Sequence, residues 1–305
     1  MTWPACLSIG AAKRPNRLSL PSRPAALARV SWLAKEQIAT AEQILGNYQL
    51  AGNFRRPNII ADPSGELTRL QAAIPGAFAK QRWVMKRCEH ARGNVLDSLS
   101  RLHTAAAFHE QVTAWLFAAG ITTHILLTAG LKNPTVRRRY AAVRRLLAQH
   151  GRGDFHERLL ELLGCGQMRQ GQAERHLVAL ARAFDAAKGV VDSSYPFAAD
   201  LSDAARAVAI DGSRELIERG LHREAVFWMV ATSSRCQAVF HQNASQAMQE
   251  EYSNGFRALL GDLGITSFAD LERRGEEVRA FLPRVWEVAE ALMAANPEIE
   301  DAVQE

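Results

Sequence analysis

From about residue 78 onward, apolar residues recur every three or four positions, the period of an amphipathic helix. Glycine or proline separates one such run from the next. The pattern predicts helices over 78–103, 108–118, 121–130, 134–149, 155–163, 171–188, 202–219, 221–242, 245–261 and 275–294. Asn133-Pro134 offers a cap and a first-turn proline for the fourth of these, and Gly151 and Gly153 offer its end. Only residues 54–67 read as extended: Asn58-Ile59-Ile60-Ala61 looks like a short strand, and Asp62-Pro63-Ser64-Gly65 is turn chemistry. The expected class is therefore all-α, an antiparallel helical bundle with at most a short residual β-strand near the N-terminus. Three segments are expected: a basic, partly disordered stretch with one helix (1–53), the strand with the first helices of the bundle (54–150), and a C-terminal helical bundle (151–305).

Composition supports this. Ala, Leu, Arg and Glu dominate, and all favour helix. The cysteines Cys6, Cys88, Cys165 and Cys236 lie far apart and lack metal-ligand spacing, so they read as free, mostly buried thiols of a cytoplasmic protein. The run Ile121–Leu131 is too short for a membrane span. The first ~30 residues are basic and rich in Pro and Ser, which fits a transit peptide or a disordered N-terminus. Residues 1–60 hold eight Lys/Arg and two Asp/Glu, a net of +6, whereas the remaining 245 hold 29 and 30, a net of −1. The pI of about 9.2 thus belongs to the N-terminal stretch.

Two segments carry candidate chemistry. Residues 111–153 contain no acid and seven bases. In a helix over 134–149, Val136, Tyr140, Val143 and Leu147 share one face, and Arg137, Arg138, Arg144 and Arg145 share an adjacent arc. Guanidinium forks suit phosphate; acidic neighbours are the other available partners, and residues 245–305 hold 13 acids against five bases. In the 221–242 helix, Glu224, Trp228, Ala231, Thr232 and Arg235 line one face. Such a stripe holds either a ligand, with the indole on a base and Arg235 on a phosphate or sugar, or a core polar network. Five residues separate Arg235 from His241, a spacing shared with the Arg-x(4–6)-His pattern of HEPN-type ribonucleases, and also with many unrelated helices.

Other chemistry is thinly supplied. No His-Glu-x-x-His, phosphate loop, Gly-x-Gly-x-x-Gly or Gly-x-Ser-x-Gly occurs. His124 reads as a core residue, and Asp200 and Asp211 as caps or turn residues. Phe108-His109-Glu110 recurs as Phe155-His156-Glu157 without further alignment.

The phrases TAWLFAAGITTHILL (113–127), NPTVRRRY (133–140), FHERLLELLGC (155–165), FDAA (184–187) and DGSRELIERGLHREAVFWMVATSSRCQAVF (211–240) together resemble the helical region of kanamycin-nucleotidyltransferase-like proteins. That family joins a polymerase-β-type catalytic domain to a HEPN-like bundle, and the resemblance spans roughly residues 55–295. It implies nucleotide chemistry, but the family's Gly-Ser followed by Asp-x-Asp is absent; the lone Gly212-Ser213 lies in helical context. Asp62 stands near the position of the family's third carboxylate if Ile59–Asp62 is a remnant of that strand. The expectation is a nucleotide- or substrate-binding module without two-metal transfer of its own. No cofactor is evident; Mg²⁺ with nucleotide would enter only with a catalytic domain supplied elsewhere. Expected partners are a nucleotide or small molecule, a separate catalytic chain or a second copy, and less directly RNA, with no membrane. The alternatives are a HEPN-like ribonuclease or toxin using Arg235 and His241, and a non-enzymatic partner-binding protein.

Overall fold

The computed structural model describes residues 6–9 and 30–300, with side chains from Leu33 onward. Most of the basic N-terminal stretch, and with it the expected disorder, lies outside the described residues. Two strands, β1 (Cys6–Ile9) and β2 (Val30–Leu33), pair in parallel. The remaining regular structure is helical. It runs α1 (Ala41–Gly46), α2 (Ala51–Phe54), α3 (Glu66–Ala73), α4 (Pro75–Phe78), α5 (Gln81–Thr104), α6 (Phe108–Ala129), α7 (Arg139–Gln149), α8 (Gly153–Leu162), α9 (Gln170–Val190), α10 (Asp203–Arg206), α11 (Gly212–Glu218), α12 (His222–Asn243), α13 (Gln246–Asp262) and α14 (Phe268–Ala294). A π turn, Ala207–Asp211, joins α10 to α11. The fold is all-α.

Helix α6 is the axis. Residues Gly120–Ala129 are buried without a break, so no face of that half meets solvent. By length and composition α6 would pass for a membrane span, yet 89% of its apolar window is buried inside the protein. Helices α5, α14, α12 and α7 pack around it, and α9, α11 and α13 cover the outer side of α12. Buried apolar residues from Ile38 to Met293 form one cluster.

Four expectations need correction. Helices 108–118 and 121–130 are one. Gly120 does not break α6; it makes room, since a Cβ there would lie 2.3 Å from Phe227 Cε2 and 2.8 Å from Arg139 Nη1. Residues 58–61 are not a strand. They have no neighbouring strand to bond to, Ile60 is 82% exposed, and Asn58 instead donates to Asn53 O and accepts from Gln71. The helix expected from 134 begins only at Arg139, because α6 ends in a left-handed turn at Leu131 (φ 53°), closed by Lys132 N–H donating to Leu127 O. Glycine would suit that position, but it stands one residue earlier, where a Cβ on Gly130 would sit 2.7 Å from Leu146 Cδ1. Helix α14 also starts at 268 rather than 275, capped by the reciprocal Ser267–Asp270 bonds.

Close approach at Gly120 predicts that Gly120→Ala destabilises the protein by about 1–3 kcal/mol in urea unfolding, through overpacking. Gly93, mid-helix in α5 with nothing within 4 Å of a Cβ, is the control. Gly93→Ala should stabilise by up to ~1 kcal/mol. Equal effects of the two substitutions would refute the steric account.

Candidate functional site

Helix α12 carries the buried polar groups Glu224, Thr232, Ser233 and Ser234, and α7 brings Arg139 and Arg144 against the same helix. At its N-terminal end Glu224, 1% exposed, accepts a 2.9 Å bond from Arg144 Nη1. His156 of α8 places Nε2 3.7 Å from the same carboxylate oxygen. Removing Arg144 would leave the Glu224 carboxylate buried beside His156 alone, so the pair fixes the α7–α12 register. Burial pushes His156 below its ordinary pKa, and the Glu224 carboxylate opposes that shift. Beside them, Arg223 forks onto Glu157 at 2.6 and 3.0 Å.

Arg137 and Arg138 precede α7 rather than lying on it, so they do not share a helical arc with Arg144 and Arg145. Arg137 donates to Gly212 O, and Arg138 bonds both oxygens of Glu215 at 2.8 and 2.7 Å. Three of the four arginines are thus engaged by α11 and α12. Arg145 is exposed, with no ion pair among the described residues.

One turn further along α12, Arg139 is buried against Phe227. It is 2% exposed, and its guanidinium carbon stands 3.8 Å from the ring centroid. Nε donates to Val136 O at 2.9 Å, while Nη1 has no hydrogen-bond partner. No carboxylate pairs with it among the described residues. Burial lowers its pKa to about 10, and Arg235 adds to the lowering. Arg235 itself meets Asp200 at 3.4 Å and lies over the rings of Trp228 (5.1 Å) and Phe197 (5.6 Å). On the same stripe Trp228 Nε1 and Thr232 Oγ1 are buried without hydrogen-bond partners. Buried donors are rarely left so.

The remaining candidates lie elsewhere. His241 is exposed and faces the His109 ring, with centroids 5.7 Å apart, while Arg235 faces Asp200. Asp62 accepts from Thr68 N and Thr68 Oγ1, both at 2.8 Å, and so anchors the start of α3. Asp200 is more than a turn residue, since it meets Arg235. His124 is a core residue as expected: its Nε2 bonds Thr135 O at 2.9 Å, which requires the proton on that nitrogen. Cys88, Cys165 and Cys236 are buried free thiols, and burial raises all three pKa values. Among the described residues no three His, Cys, Asp or Glu side chains converge as a metal-ligand set.

Sequence reasoning missed Arg139, His156 and His109. For Arg139 the signal was available, because Arg139, Val143 and Leu146 share one face at helical spacing. Comparison of the chain with family models, curated proteins and solved structures gives no match.

Burial depresses His124 well below 6.5, with Arg139 acting in the same sense, and it depresses His156 more mildly. Unfolded histidines titrate near 6.5. Below that pH the unfolded chain binds more protons than the folded one, so stability falls as pH drops from ~7 to ~5. Urea midpoints across that range should decrease, and His124→Gln should flatten the slope. A profile unchanged by this substitution would show that His124 does not contribute.

Proposed function

We propose that this chain is a nucleotidyltransferase-related helical protein that binds a nucleotide or nucleotide-like anion on the Trp228–Thr232–Arg235 stripe of α12. In this reading it does not transfer the nucleotide unaided. One observation carries the proposal: buried Arg139 Nη1, Trp228 Nε1 and Thr232 Oγ1 lack partners beside a second guanidinium, Arg235. Three donors and two cations suit an oxyanion, and Trp228 and Phe197 suit a base or other flat ring. The family resemblance points to the same ligand class, and the missing Gly-Ser…Asp-x-Asp argues against two-metal transfer in this chain.

Calorimetric titration tests the proposal. ATP should bind with or without Mg²⁺, and Arg235→Ala should weaken binding about tenfold or more, the worth of a charge-assisted bond. Trp228→Phe keeps the ring and removes the donor; Thr232→Val keeps the shape and removes the hydroxyl. Each should weaken binding, while an orphan hydroxyl that serves no ligand is lost at no cost in stability. Reversing Arg137 and Arg144 is a poor test, because both hold helices together. Absence of heat with every nucleotide tried would sink the reading.

The His109–His241 contact favours a second reading, metal-independent RNA cleavage, with one imidazole taking the 2′-hydroxyl proton and the other protonating the leaving oxygen. His241→Ala should abolish such cleavage. RNA left intact by the pure protein would exclude it.

A further inference from the structure

Helix α9 runs antiparallel to the continuous run of α10, the π turn and α11, as the pairs Lys188–Asp203 and Asp185–Arg206 at its α10 end show. A groove of about 500 Å³ lies between them, floored by Leu177, Val178, Ala181 and Ile217. Antiparallel packing places Glu174 and Glu218 at one end, and Arg182 with the Arg206–Asp185 pair toward the other; Arg214, which also lines the groove, pairs with Asp211.

Glu174, Val178 and Arg182 stand four residues apart on α9, on one exposed stripe, while Ala173, His176, Leu177, Leu180 and Phe184 face the core. Val178 is 57% exposed, one of few large apolar side chains so placed among the described residues. Acid, apolar residue and base are evenly spaced, so the stripe is complementary to itself when turned end for end. Arg182 forms no ion pair among the described residues, and neither does Glu218; Glu174 accepts only from Gln170 at its own helix start.

We infer that this groove receives α9 of a second copy of the chain, giving a two-fold dimer with the axis passing through Val178. A two-fold axis places the same patch on both subunits, which demands the self-complementarity the stripe has. The α9 ridge of each copy fills the groove of the other. Arg182 of one copy then reaches Glu174 and Glu218 of its partner, and the reciprocal set forms on the other side. Val178 packs on its own counterpart at the centre.

Analytical ultracentrifugation of the full chain tests this. The wild type should sediment as a dimer, and Val178→Glu as a monomer with unchanged circular dichroism. Glu174→Arg and Arg182→Glu each make the stripe like-charged, so each alone should be monomeric. Mixed together, the two variants should form a heterodimer, an outcome that a merely structural role for either side chain would not produce. A monomeric wild type would overturn the inference. So would a dimer that survives Val178→Glu, or single variants that fail to associate when mixed.

Discussion

Helix α6 is buried on every side through Gly120–Ala129, a mostly apolar surface that has to be covered from every direction. Covering it draws α5, α14, α12 and α7 into one bundle. The approach of α12 is set by Gly120, whose missing side chain admits both the Phe227 ring and the Arg139 guanidinium. The candidate site therefore depends on core packing: Arg139 is where it is because α6 leaves a gap of that size.

Two guanidiniums are buried in the described chain, and they differ in how they are satisfied. Arg87 donates to Leu45 O at 3.0 Å and Phe78 O at 2.7 Å and stacks on Phe78 at 4.3 Å. It ties α1 and α4 to α5, and its contacts account for its burial. Arg139 has the ring and one carbonyl, but Nη1 is left over. Desolvating a cation costs several kcal/mol, and a buried cation–π contact returns only about 2. The deficit at Arg139 is the physical reason to look there for an anion, and Arg87 shows what a purely structural buried arginine looks like in the same protein.

Most of the helices were legible from periodicity, because that signal is local and repeats over many residues. What periodicity could not supply was the meaning of single glycines. Gly120 reads as a break in sequence and acts as a packing contact; Gly130 reads as the last residue of a helix and admits Leu146. Both depend on residues far along the chain. The stripe Glu224–Trp228–Thr232–Arg235 was legible for the same local reason as the helices. Its partners were not, since Arg144, His156, Asp200 and Arg139 come from three other elements. The basic arc failed at its boundary: an end-of-helix turn at Leu131 delays α7, and Arg137 and Arg138 reach α11 from the loop.

Charge was expected to divide the molecule, with an acid-free stretch facing an acidic C-terminal part. The two do not meet in that way. Glu276, Glu277 and Glu287 pair within α14 itself, and Asp262 goes to His176. Arg138 and Arg144 go instead to Glu215 and Glu224, two acids that sit on the helices they must hold. Exposed pairs within a helix contribute little, whereas the Arg144–Glu224 pair spans two helices with its carboxylate out of water. The charges that matter to the fold are therefore few and sit at the base of α12. On the upper stripe of the same helix Arg235 answers Asp200, while the buried Trp228 Nε1 and Thr232 Oγ1 have no hydrogen-bond partner, and polar groups that the fold leaves unanswered are where function is best sought.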